Sequence, residues 1–479
     1  MELRSSEKIQ GNILAPFNKP HQVFLFVSFG NDQQRARRWL AGVADGVATT
    51  REVSANNAGH KAWKRRRGSR PEARAWMGVG LTSWGLVTLH PELAADLAVH
   101  DAFWRGPLAE GTDEHGNRTA PAALLGDRDQ SDPRKWVVGG PAQPPVDAVV
   151  TFAADDPGRL RDRVDRELAR WKLPEDRILL RQEGATLQGD EGNVEHFGFR
   201  DGVSQPGVRD FNTEVLRNGR LEIDDRPGSP IVATGEFVLG YPGERGSYLG
   251  GRRPDPAGWM RDGSFQVFLR LTQDVAGFLG EMDRLGGALG EDVAAKVIGR
   301  AKDGTPLAGP GGGLNDFDYA GDPHGDQTPR FAHIRRANPR NDAVFNDRSH
   351  RLLRRGIPFG PLARDQAEAR ANPVERGLLL NAFMASIDDQ FETVLRNWSG
   401  NAGVLPVIPG RGWPENAITD GPDPLIGASA HPCLLRRQGQ DPVPLELPRF
   451  VRTTGAVYAF APSVPALRRL GRDEPLRDR

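Results

Sequence analysis

The chain is short of several things, and each shortage removes a class of function. It has a single cysteine, Cys433, so no disulfide framework, cysteine-based zinc cluster or CxxCH attachment site can be built from it. No run comes near the ~18 apolar residues that a membrane-spanning helix needs. Its 63 Lys and Arg balance 63 Asp and Glu, leaving no global field to steer it towards nucleic acid or an anionic membrane. The opening MELRSSEKIQGN shows neither the apolar core of a signal peptide nor a twin-arginine leader, which makes the cytoplasm the default compartment.

What is abundant points to a loop-rich fold. The 57 glycines and 38 prolines read as many connections between short elements rather than a helical bundle. A length of 479 residues suffices for one large or two medium domains, each with a substantial core. Residues 22–29 (QVFLFVSF) read as a buried strand, 32–47 as a helix and 75–89 (AWMGVGLTSWGLVTL) as strand material. Residues 147–153 follow as a strand, 157–171 as a charged helix, and ILLRQEGATL closes the half. Strand, helix, strand, strand, helix, strand is the order of a ferredoxin-like unit. The second half repeats it with strands at 264–271, 377–386 and 454–460 and helices beginning at TQDVAGFLGEM and Ile387. The expectation is an α+β fold of two ferredoxin-like domains with antiparallel sheets, 1–210 and 211–479. Residues 302–330 and 401–447 read as long loops of the kind that shape a pocket or a subunit contact, and LRRLGRDEPLRDR as a polar tail.

Three segments can carry chemistry. His333 sits in RFAHIRRANPR. An arbitrary histidine is more often a surface or core residue than a ligand, but here apolar residues precede it, arginines follow and Asn338-Pro339 breaks the segment. One neutral imidazole nitrogen commonly holds haem iron, with flanking cations free to meet the propionates. Asp201 lies in Gly198-Phe199-Arg200-Asp201-Gly202, a turn by default. The glycines also let backbone approach a flat ligand, so that the carboxylate overhangs it. A carboxylate remains a base in acid, where a histidine is already protonated, so an acidic optimum is expected. Arg354, in LLRRGIPFG, is one of four arginines within 348–355, ordinarily a solvated face.

Taken in order, GFRDGVSQPG, HIRRANPR and LLRRGIPFG resemble the dye-decolourising peroxidase family, and the opening IQGNILAPFNKPHQVFLFVSF is similar to that family's start. The resemblance runs from the first residues to near the end. It implies one non-covalent haem b per chain, held mainly by the C-terminal half between sheet and helices. It makes His333 the proximal iron ligand, Arg335 a propionate partner, and Asp201, beside Gly202, a distal acid–base group. Family spacing places the distal arginine four residues before Pro358, which selects Arg354 over Arg355, and Phe359 lines the distal pocket. Peroxide would bind opposite His333, Asp201 would move its proton, and Arg354 would stabilise the departing charge.

Hydrogen peroxide would thus drive one-electron oxidation of bulky organic reductants such as dyes and phenolics. A proximal histidine also needs a carboxylate on its other nitrogen. Asp388, Asp389 and Glu392 are the candidates; Asp388 is favoured, sharing a helix face with Glu392 at i,i+4. The strand ending Phe383-Met384 departs from the more polar Tyr-Gln expected there, which leaves the register of that acid open. Trp398 is the candidate surface radical site. Lys64 to Arg67 read as loop surface, and the GPGGG at 309–313, without a Walker lysine, as a loop. The rival readings are a haem-binding carrier or sensor of the same fold, which would have no use for the Asp201 and Arg354 pair, a haem-free α+β protein, and haem dechelation or oxygen-dependent oxidation. Mn(II) as reductant and a homodimer stay open.

Overall fold

Apolar runs bounded by turn residues become strands, and the charged amphipathic stretches between them become helices, in a computed structural model. It describes residues 2–476 apart from 31, 70, 109–110, 113–117, 120–130, 191, 218, 245–257, 310–312, 341–348, 401–419, 428–431 and 473. The first half contributes β1 (His21–Val27), α1 (Gln33–Ala44), α2 (Thr50–Lys64), β2 (Trp76–Leu81), β3 (Ala148–Ala154), α3 (Pro157–Trp171) and β4 (Ile178–Ala185). β1 and β3 are buried along almost their whole length, which is why they read as continuous apolar runs rather than as an alternation. α3 starts where Asp156 accepts a hydrogen bond from the Arg159 N–H and Pro157 fills the first turn. Its Leu160, Val164 and Trp171 are buried.

The second half supplies β5 (Ser264–Gln273), α4 (Val275–Leu289), the short α5 (His333–Ala337), β6 (Leu353–Arg354), β7 (Ile357–Phe359), β8 (Gly377–Met384), β9 (Val451–Ala461) and α6 (Val464–Arg472). The strands of the first half lie in the order β4–β1–β3–β2, all antiparallel. Those of the second half lie as β9–β5–β8–β6, with β7 also on β8. Counting β6 and β7 as one interrupted strand, each half places its fourth strand beside its first, then its third, then its second, the ferredoxin-like arrangement. The halves join into one nine-stranded sheet where Phe460 of β9 pairs with Leu81 of β2. At the far end β4 returns to β7. A Cβ on Gly184 would stand 2.6 Å from the Ile357 side chain and 3.0 Å from the Pro358 carbonyl, so only glycine lets the sheet's free edges come this close.

Several expectations change. The stretch 75–89 is only half strand: β2 stops at Leu81, and Thr82 caps a helix, Ser83–Leu89, by accepting from the Gly85 N–H at 3.0 Å. The first residues of the expected polar tail, 467–472, belong to helix α6, with Val464, Leu467 and Leu470 buried and Gly471 seated on Ala41 of α1, whereas 473 and 477–479 lie outside the described residues. The helix after β8 forms as two π-helical runs, Ile387–Glu392 and Val394–Ser399. Within 401–447, a hairpin of Cys433–Arg437 and Gln440–Leu445 replaces part of the loop, whereas 401–419 and 428–431 lie outside the described residues, as do 310–312 of the glycine cluster. The division at residue 210 falls inside a small four-stranded sheet, where Gly207–Val208 pairs with Ile231–Val232. Among the described residues no helix is long and apolar enough to cross a membrane.

Candidate active site

Asp201, Gly202, His333 and Arg354, which lie in three separate segments of the sequence, all line one cavity of about 1550 Å³. Backbone bonds fix the Asp201 loop from both sides: the Asp201 N–H donates to the Asn193 carbonyl and the Arg200 N–H to the Lys302 carbonyl, each at 2.9 Å. Asp201 Oδ1 accepts the Gly202 N–H at 2.6 Å, closing a turn in which Gly202 holds φ +71°. Arg354 is placed by β6, where it pairs with Ala382 of β8. Its guanidinium donates to the Ser204 carbonyl, its N–H donates to Gln205 Oε1 at 3.3 Å, and its carbonyl accepts from Gln205 Nε2 at 3.0 Å. The residues just after Asp201 therefore clamp Arg354 beside it. Enclosure lowers the Arg354 pKa, and the Asp201 charge opposes that shift.

His333 opens α5. Its Nδ1 lies 2.8 Å from Asp423 Oδ2, and Asp423 has no exposed side-chain surface. The other Asp423 oxygen accepts the N–H groups of Leu425 at 2.9 Å and Ile426 at 3.3 Å, so the carboxylate is locked in place. Burial alone would depress the imidazole pKa; the charge and hydrogen bond of Asp423 outweigh it and raise it. With Nδ1 engaged, Nε2 is the nitrogen left for the cavity.

This replaces Asp388 as the partner of His333. The Asp388 carboxylate instead accepts the Ala102 N–H at 3.5 Å and sits near Arg105, and Glu392 bonds Tyr458 and Arg396. Asp389 is no closer to the role; its carbonyl accepts from His350 Nδ1. The Asp388 and Glu392 carboxylates are thus engaged elsewhere, and His333 bonds Asp423. Nothing local marks Asp423, which is 90 residues from His333 in a Gly- and Pro-rich stretch.

Two further assignments fail on side-chain direction. Arg335 is two residues from His333 on a helix and so points to the other side. It is buried and donates to the Thr328 carbonyl at 2.7 Å and the Asp322 carbonyl at 3.0 Å, with its guanidinium 4.5 Å from the Tyr319 ring. The Phe359 ring packs with Phe24 and Phe268 beneath the Arg270 guanidinium, while Ile357 and Pro358 take the cavity wall. Trp398 is not a surface residue: it is buried with its ring 5.1 Å from that of His350, which lines the cavity.

The cavity walls carry positive charge, of which Arg300 is buried and Arg340, Arg354 and Arg355 keep accessible surface. Arg300, Arg340, Arg354 and Arg355 line it, and among the described residues none of them is ion-paired to a carboxylate. They donate to neutral acceptors instead, such as Leu314 O for Arg300, Asn315 O for Arg340, and Asn12 O and Ile13 O for Arg355. Burial, reinforced by neighbouring arginines, pulls the pKa of Arg300 down to about 10 and that of Arg355 to about 9. Glu195, absent from the sequence reading, is one carboxylate on this wall. It accepts the Phe197 and Phe199 N–H groups and Gln273 Nε2, and burial raises its pKa with the Asp201 charge adding to the effect.

Cations gathered on one cavity wall repel one another, and an anion in the cavity would offset that repulsion. No group of three or more His, Cys, Asp or Glu among the described residues could hold a bare metal ion. A flat group that brings its own metal-ligating nitrogens and two carboxylates, needing one imidazole from the protein, fits both facts. Haem is such a group.

A family model described as "Dyp-type peroxidase, C-terminal" matches residues 253–405. The multifunctional dye peroxidase DyP2 of Amycolatopsis sp. is 29% identical over 498 residues, covering 97% of this chain and 95% of that one. A dye-decolorizing peroxidase of Mycena epipterygia is 32% identical over 330 residues, 60% of this chain and 59% of its own. Among solved structures, an ancestral D-type dye decolorizing peroxidase superposes with a TM-score of 0.77 at 25% identity, covering 100% of both chains. The Amycolatopsis DyP2 structure does so with a TM-score of 0.73 at 26% identity, covering 96% of this chain and 95% of that one.

Proposed function

Because this chain belongs to the dye-decolourising peroxidase family, we propose that it binds one non-covalent haem b and uses hydrogen peroxide to oxidise aromatic reductants, dyes and phenolics among them, one electron at a time. The observation that carries this reading is the single cavity in which the Asp423-bound His333 meets the clamped pair of Asp201 and Arg354. A dye-decolorizing peroxidase of this fold has been solved with 2,6-dimethoxyphenol bound, which supports a phenolic substrate class.

When bound, haem supplies an iron that takes up the two oxidising equivalents of peroxide and releases them singly. The chain's own residues do the rest. His333 would hold the iron through Nε2, and Asp423 fixes the tautomer, with Nδ1–H donating to Oδ2, and strengthens the ring's donation. Arg340, which lines the cavity where Arg335 does not, would meet a haem carboxylate, with Arg300 on the same wall. Asp201 receives the peroxide proton at the oxygen not occupied by the Gly202 N–H and returns it to the leaving oxygen. The Arg354 guanidinium offsets the negative charge that develops as the O–O bond breaks, held in position by Ser204 and Gln205. The apolar walls, including Ile357, Phe391 and Leu395, keep water from competing.

The test is peroxide-dependent oxidation of a phenol and of a dye by the haem-loaded protein. Activity that requires both haem and peroxide, and that falls roughly 10²–10³-fold in Asp201→Asn and in Arg354→Leu, is the expected result. Haem binding without peroxide turnover would favour a carrier or sensor instead.

A further inference from the structure

The proposed chemistry leaves one buried titratable cluster unused. The Tyr458 hydroxyl of β9 donates to Glu392 Oε1, on the first π-helical run, at 3.0 Å. Both side chains are buried, at 2% and 1% exposure. Arg396 donates to the other Glu392 oxygen at 3.0 Å. Asp388 and Asp389 stand near on the same run, and Asp101 and Arg105 face it from the neighbouring helix. Burial, then the Asp388 charge, pushes the Glu392 pKa up to about 7, against the pull of Arg396 and of the Tyr458 hydrogen bond. At neutral pH this carboxyl is therefore poised between its two protonation states, and its ionised form is the base that the phenol faces.

The cluster is one ring away from the cavity. Phe391 lines the cavity and meets Tyr458 edge to face, with ring centroids 6.0 Å apart. A phenol is readily oxidised by one electron only if its proton can leave at the same time, because the oxidised O–H is a strong acid. A buried tyrosine with a carboxylate acceptor already in hydrogen-bond contact meets that condition; most core tyrosines, bonded to backbone, do not.

We propose that Tyr458 and Glu392 form a proton-coupled redox site that takes one oxidising equivalent from the cavity. This rests on the peroxidase reading, which supplies the oxidant. Peroxide is reduced to water by two electrons. Tyr458 then returns one electron to the site through Phe391, while its hydroxyl proton passes to Glu392 Oε1. The products are a neutral phenoxyl radical and a protonated Glu392. One electron from a reducing substrate, with the same proton handed back, restores the pair. Because both residues are buried, the equivalent is kept from direct reaction with solvent.

Freeze-quenched holoenzyme, mixed with one equivalent of hydrogen peroxide and no reductant, gives the test by electron paramagnetic resonance. A tyrosyl signal that collapses at least fivefold in Tyr458→Phe is the expected result. Glu392→Gln keeps a hydrogen-bond acceptor but no base, and is expected to lower the radical yield while haem content and the rate of the first absorbance change stay as in the parent. A signal that persists in Tyr458→Phe, or one of tryptophan type assignable to Trp398, overturns the proposal while leaving the peroxidase reading intact. Absence of any absorbance change with peroxide would instead sink the peroxidase reading.

Discussion

His333 Nδ1 and Asp423 Oδ2 lie 2.8 Å apart although 90 residues separate them, and two backbone N–H groups lock the carboxylate from behind. An anionic partner on the far nitrogen makes an imidazole a stronger donor to iron. Asp423→Asn is therefore expected to raise the haem reduction potential and to cost roughly 10–100-fold in haem affinity or activity. Asp388→Asn should leave both the potential and the haem spectrum unchanged. Spectroelectrochemistry of the two variants checks this; equal shifts would restore Asp388 to the role.

Arg335 and Arg340, five residues apart, are expected to fail differently. Arg335 is fully committed to Asp322 and Thr328, so Arg335→Ala should destabilise the fold by about 3–5 kcal/mol, seen in denaturant melts. Arg340 lines the cavity, so Arg340→Gln should weaken haem uptake in a titration and leave the rest of the fold in place. Haem loss in a folded Arg335 variant would contradict the assignment.

Acid sensitivity should trace in part to His196. Its Nε2 contacts the Phe359 carbonyl at 2.8 Å, and burial pushes its pKa down to about 4, with the hydrogen bond opposing and Arg376 assisting. The unfolded chain takes up this proton near pH ~6.5, whereas the folded chain resists until much lower. The stabilisation is thus complete above that pH and is lost as pH falls towards 4, by about 3 kcal/mol at most. Melting temperatures measured between pH 7 and 4.5 should fall more steeply for the parent than for His196→Gln. Parallel slopes would assign the acid sensitivity elsewhere.

The gap between sequence and structure has a physical cause. Strands β1, β3, β5 and β8 were legible because burial on both faces writes itself as a continuous apolar run. Asp201, His333 and Arg354, singled out by the motifs GFRDGVSQPG, HIRRANPR and LLRRGIPFG, line one cavity. Asp423 was not legible, since its role depends on a long-range contact that no spacing encodes. Arg335 and Phe359 were misplaced because neighbours in sequence point to different sides of a helix or strand. Helix α6 did carry a signal, the i, i+3, i+6 pattern of Val464, Leu467 and Leu470, hidden among its arginines.

The most direct test is a haem titration followed by absorption spectroscopy, before and after one equivalent of hydrogen peroxide. The account expects saturation at one haem per chain, a histidine-ligated ferric spectrum that is lost in His333→Ala, and conversion within seconds of peroxide addition. A protein that takes up no haem, or a His333→Ala variant whose spectrum and peroxide response match the parent, would contradict it.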